Sequence, residues 1–147
     1  MITRIFIAVM IVLCSTIAVA QDFYIEENGL RPVPSTADAA IRKAESDIAE
    51  CRFEGKTIDL DGDGNATDLV VTTQDECAWG AALGPIWVLR AEKGSFTLVL
   101  SYGGYSLTLG KTKSNGLRDI AVMTATAART ETSIWRYDGR KYIEAKK

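Results

Sequence analysis

Beyond Gly55 the chain alternates short stretches rich in Val, Ile, Thr and aromatic residues with turns that carry glycine. The stretches are 56–60, 68–73, 85–92, 95–101, 105–112, 117–127, 131–137 and 140–145. Lys93-Gly94, Gly103-Gly104, Asn115-Gly116 and Asp138-Gly139 stand between successive pairs. Asp-Gly is among the strongest two-residue hairpin signals, because both residues tolerate positive φ. A chain punctuated this often reads as short strands that mostly pair antiparallel with their sequence neighbours.

One segment ahead of this region has helical period. Ala37, Ala40, Ile41, Ala44, Ile48 and Cys51 recur along one stripe, and Ser35 with Asp38 has the spacing of a capping box. These residues predict a helix over 36–52. Residues 21–34, with Pro32 and Pro34, read as an irregular lead-in. The expected fold is a single α+β domain over 21–147. Its helix packs on a mostly antiparallel sheet or small sandwich of about seven strands, β-rich over 56–145. A faint repeat runs through the β region. D-L-V-V-T-T at 68–73 is echoed by D-I-A-V-M-T at 119–124, and P-I-W-V-L-R at 85–90 by S-I-W-R-Y-D at 133–138. Each unit reads as a meander, and two units are too few for a propeller.

The first twenty residues have the layout of a secretory signal peptide. Arg4 precedes an unbroken apolar run at 5–13, and Ala18-Val19-Ala20 offers a cleavage point after Ala20. The run is too short to span a bilayer. The expectation is an exported protein, periplasmic or secreted, with no membrane span once the leader is removed. Two cysteines, Cys51 and Cys77, then remain, and an oxidising compartment would join them in a disulfide.

Composition removes several function classes. The chain carries 17 Lys and Arg against 19 Asp and Glu; with Arg4 lost in the leader, the remainder stands at −3. No basic excess draws it to nucleic acid. It has no histidine, so Ser-His-Asp and Cys-His catalysis are excluded and a typical zinc site nearly so. Asp75 and Glu76 are adjacent, which in a strand places them on opposite faces and not as a catalytic carboxylate pair. Trp87 and Trp135 lie inside alternating strands and read as core. Trp79 lies in a glycine-rich loop and has no assigned place.

Residues 59–71 read D-L-D-G-D-G-N-A-T-D-L-V-V. Asp59, Asp61 and Asp63 alternate, and Gly64 follows where a sharp turn is needed. Short loops of this kind supply calcium with oxygens at alternate positions. Against the EF-hand pattern the closing glutamate is replaced by Val70, and strands flank the loop instead of helices. The segment resembles the strand-loop-strand calcium loop of FG-GAP and VCBS repeat proteins. The resemblance covers about fifteen residues, and it implies Asp59, Asp61, Asp63 and Asp68 as side-chain ligands, with a backbone carbonyl near Asn65. Asn65-Ala66-Thr67 is one residue longer than the usual spacer ahead of the final aspartate, which would displace Asp68. The alternative is a hairpin tip built from good turn formers.

Ser101-Tyr102-Gly103-Gly104-Tyr105 is similar to the S-G-x-x-Y loop that periplasmic lysozyme inhibitors insert into their target, with Tyr102 in place of the glycine. On that resemblance Ser101, Tyr102 and Tyr105 would contact a partner. The combined expectation is a non-catalytic, exported binding domain with a calcium loop. The alternative is an inhibitor or immunity protein against a cell-wall hydrolase such as lysozyme or an amidase.

Overall fold

The computed structural model describes residues 21–81 and 83–146. The expected leader and its cleavage point lie outside the described residues. Ten strands and one helix follow in the order β1 (Asp22–Tyr24), β2 (Arg31–Pro32), α1 (Ser35–Ala44), β3 (Phe53–Ile58), β4 (Asp68–Thr73), β5 (Gly84–Glu92), β6 (Ser95–Gly104), β7 (Ser106–Ser114), β8 (Leu117–Ala125), β9 (Thr130–Tyr137) and β10 (Tyr142–Glu144). They form two five-stranded antiparallel sheets. One has the order β2-β3-β4-β5-β6 and the other β1-β7-β8-β9-β10.

The fold is thus mainly β, with more strands than the seven expected. Strands β3 to β10 correspond to the eight apolar stretches. The additions are β1 and β2, in the segment read as irregular. Both are short edge strands, β1 against Ser106–Thr108 and β2 against Glu54–Gly55. Two or three residues are too few to display alternation. Pro32, lacking an N–H to donate, is tolerated at an edge.

The helix stops at Ala44, well short of residue 52. The apolar stripe persists, since Ile48 and Cys51 are buried, but the backbone carrying them is not helical. Arg42 explains how this is possible. Its guanidinium pairs with Asp38 and donates to the carbonyls of Ile48 (3.3 Å), Ala49 (2.7 Å) and Cys51 (2.8 Å). Carbonyls that a longer helix would satisfy internally are satisfied by one side chain instead. The capping box does not form either: Pro34 occupies the cap position with no side-chain bond, and Asp38 is used by Arg42.

Three layers result. The helix covers one face of the β2–β6 sheet, where Ala37, Ile41, Phe53, Leu69, Val71, Trp87 and Leu89 form one core. Val70, Ile86, Val88 and Leu100, on the other face, meet Phe23, Leu107, Ile120 and Val122 of the second sheet in a larger core. Strand β4 lies between the cores and is buried along its whole length.

The sequence repeat coincides with this architecture. β3–β6 and β7–β10 are each a four-stranded meander with one earlier strand added at an edge. Leu69, Val71 and Trp87 face the helix. Their counterparts Ile120, Val122 and Trp135 face the first sheet. The two meanders therefore stack face to back. The chain passes between them at Gly104, where a Cβ would lie 2.6 Å from Val122 Cγ1 and 3.1 Å from Ile86 Cδ1. Only glycine fits where the strand leaves one sheet against the other.

Candidate functional site

The β3–β4 hairpin carries the acidic loop. Carboxylate oxygens of Asp59, Asp61 and Asp63 lie within 4.8 Å of one another. The loop also organises itself. Asp59 Oδ1 accepts the N–H groups of Gly62 (2.6 Å) and Asp63 (3.2 Å), and Oδ2 accepts that of Gly64 (3.1 Å). Asp61 Oδ1 accepts from the Asp63 N–H at 3.1 Å. Asn65 donates to Asp63 from its backbone (2.7 Å) and its amide (3.1 Å), which holds the Asp63 carboxyl below the usual carboxylate range. These are the local bonds that make aspartate a turn former.

Two cations from the second sheet close over the loop. Arg118, on β8, brings a guanidinium nitrogen to 3.7 Å from Asp59 Oδ2. Lys113, on β7, donates to the Asp61 carbonyl oxygen. Both crowd Gly62 (φ +68), where a Cβ would meet Arg118 Nε and Lys113 Nζ at 3.0 Å. The Arg118 N–H also donates to the Leu60 carbonyl at 2.7 Å. The repulsion expected among crowded carboxylates is relieved in part by the protein's own cations, a feature no local reading could reveal.

Asp68 stands apart from this cluster. Its carboxylate is 6 % exposed as a residue and fully engaged: one oxygen accepts the Leu60 N–H at 3.2 Å and the other the Ala91 N–H at 2.8 Å. It fastens the base of the loop to β5. Burial pushes its carboxyl upward, against the opposing pull of these two donors. Asn65 likewise spends its carbonyl locally, accepting from the Thr67 N–H at 3.1 Å. Asp119, the counterpart of Asp68 in the second meander, is also buried and accepts from Thr112 and Ser114 hydroxyls.

Residues 101–105 are not a turn between paired strands. Ser101 to Gly104 are the end of β6, paired with β5, and Tyr105 is the crossover to β7. Ser101 donates to Glu45, which also accepts from Trp87 Nε1 at 2.8 Å. The half-buried ring of Tyr102 packs on Trp135 with centroids 4.7 Å apart. Tyr105 meets Tyr24 edge-on at 6.2 Å.

The opposite end of β4 carries a feature with little trace in the sequence. The Cys51–Cys77 disulfide forms as expected, with Cα atoms 5.7 Å apart. Around it, Asp75 (φ 53°), Glu76 (φ 54°) and Ala78 (φ 60°) are all left-handed, without a glycine among them. Such residues are uncommon, and each costs on the order of 1–2 kcal/mol. What holds them is the disulfide, the Arg52–Asp75 ion pair (2.6 Å), and Thr73, whose hydroxyl donates to the Cys77 carbonyl and accepts from Trp79 Nε1 at 2.9 Å. Trp79 thereby packs against Gly84, where a Cβ would lie 2.9 Å from the indole ring. Beside Trp79 opens a cleft of about 600 Å³, bounded by Ile25, Glu26, Glu76, Tyr105 and Met123.

Comparison of the chain with known family models, curated proteins and solved structures gives no match.

Proposed function

We propose that this chain is an exported, non-catalytic binding module whose β3–β4 loop takes a calcium ion, in the manner of FG-GAP and VCBS loops. The observation carrying the reading is the approach of Asp59, Asp61 and Asp63 carboxylate oxygens to within 4.8 Å. Three hard oxygen donors at alternate positions suit calcium. A disulfide accords with an oxidising compartment, and among the described residues no helix is long and apolar enough to cross a membrane. The chemistry available without histidine favours binding over turnover.

Asp68 is the weakest member of the ligand set, because its two oxygens already hold backbone N–H groups. With three carboxylates and two competing cations, affinity should fall in the weak range of extracellular modules, about 10⁻⁴–10⁻³ M. Millimolar calcium should raise the melting temperature by mass action, and Asp61→Ala should abolish that rise. A melting curve indifferent to calcium would leave the loop as a self-bonded turn.

A second reading is a periplasmic inhibitor or immunity protein against a cell-wall hydrolase such as lysozyme or an amidase. It is favoured by the position of Tyr105, at the rim of the cleft beside Trp79. Ser101 and Tyr102 contribute less to it, being engaged by Glu45 and Trp135.

A further inference from the structure

We propose that the cleft between the Cys77 loop and the Tyr105 crossover binds a lysine or arginine side chain presented by a basic segment of a partner protein. The inference rests on the reading of the chain as a binding module and is independent of calcium at the acidic loop. Its starting point is charge. Glu26 and Glu76 both line the cleft and both are exposed. Among the described residues neither has a cationic partner within 4.0 Å. Neighbouring acids do: Glu27 is held by Lys56, Asp75 by Arg52 and Glu131 by Arg129. Lys56, Arg52 and Arg129 are thus engaged by those acids, and no ion pair offsets the two carboxylates of the cleft among the described residues.

Its second property is aromatic. Trp79 comes from the Cys77 loop and Tyr105 from the crossover, so two rings line one space with the two carboxylates. Aromatic faces and carboxylates together attract a cation, while Ile25 and Met123 accept the methylenes of a long basic side chain. A cleft of about 600 Å³ suits one or two side chains of a docked segment.

The third property is rigidity. Glu76 lies between left-handed Asp75 and Ala78 in a loop tied by the disulfide. A conformation held against its local preference needs a reason, and functional loops are where such conformations collect. An indole fixed on Thr73 before binding, beside a backbone tied by the disulfide, reduces the ordering cost of association.

The test uses the full chain and a tri-lysine peptide as probe, with tri-glutamine as the uncharged control, read by the indole N–H resonance of Trp79. Tri-lysine should move that resonance and tri-glutamine should not. Glu26→Gln with Glu76→Gln should weaken the response by about fivefold, as expected for the loss of two solvent-exposed charge contacts. Glu50→Gln with Glu92→Gln, exposed acids outside the cleft, should change it less than about twofold. An unmoved Trp79 resonance, equal weakening by the two double variants, or a response to an N-acetylglucosamine oligomer in place of tri-lysine would each overturn the assignment. If calcium still raises the melting temperature while tri-lysine leaves Trp79 unmoved, the cleft assignment fails and the calcium module stands. If tri-lysine binds as predicted and calcium has no effect, the cleft stands without the ion.

Discussion

Strand β4 ends in two loops that are opposites. At its start, the 59–67 loop holds three clustered carboxylates and looks, in sequence, like the most reactive part of the chain. Yet its acids accept N–H groups from the loop itself and lie under Arg118 and Lys113. At its other end, residues 74–80 carry two adjacent acids, a disulfide cysteine and a tryptophan that the sequence leaves without an assigned place. There the backbone is left-handed at three non-glycine residues, and among the described residues Glu76 has no cation within 4.0 Å. Charge density in the sequence is therefore a poor guide to charge that is free to act. What counts is whether neighbours have already used it: in the strained loop Asp75, Cys77 and Trp79 are engaged by Arg52, Cys51 and Thr73, and among the described residues Glu76 has no ion-pair partner.

Removing the clamp on the strained loop should have the largest effect. Cys51→Ser with Cys77→Ser should destabilise the protein by about 3 kcal/mol, from the regained freedom of the unfolded chain. Denaturant unfolding measures this. The calcium response at the far end should persist in the double variant. Its loss would mean that the two ends are coupled through β4 and that the contrast between them is false.

A smaller effect, of opposite sign, is expected from Ala78→Gly. Glycine adopts φ near 60° without a Cβ clash, at the cost of extra unfolded-state freedom. The net gain should be about 0.5–1 kcal/mol in the same unfolding experiment. No glycine in the acidic loop offers a comparable gain, since Gly62 and Gly64 already occupy its left-handed positions. Destabilisation by Ala78→Gly would show that the Cys77 loop is not strained in the sense proposed.

The smallest effect is in pH dependence, and it sharpens the account of the acidic end. Asp63 is depressed by Asn65. Its contribution to stability is present above the ordinary carboxylate range and is lost as pH falls through the depressed value. Asp68 is raised by burial. The folded state then binds the proton more tightly than the unfolded chain, so its contribution declines as pH rises from the ordinary value through the raised one. Melting temperatures from about pH 2 to about pH 6 should show a shallower acid limb in Asp63→Asn than in the parent. An unchanged acid limb would remove Asn65 as the group that stabilises the Asp63 carboxylate.

Much of the architecture was legible because it depends on near neighbours. Turn positions follow from the φ preferences of Asp-Gly, Asn-Gly and Lys-Gly pairs. The eight apolar stretches follow from side-chain alternation. The disulfide could be expected from two cysteines and a leader-like N-terminal sequence, and the burial of Trp87 follows from its place in an apolar strand. The Asp59, Asp61 and Asp63 grouping was legible for the same reason, since alternate positions of one tight loop cannot lie far apart.

Tertiary structure decided what depends on groups distant in the chain. The helix ends at Ala44 because Arg42 reaches carbonyls six to nine residues on and the chain must enter β3. The Gly-Gly pair marks a passage between sheets because Val122 and Ile86 close on Gly104, a contact that local turn preferences cannot register. Asp68 binds Ala91, 23 residues away, so its spacing from Asp63 could not reveal its partner. Lys113 and Arg118 meet the acidic loop only because the second meander stacks on the first. Local preference specifies turns and strands at the scale of a few residues. Which charges are neutralised and which aromatic residues share a cleft depend on how two sheets pack, and that follows from the burial of both their faces together.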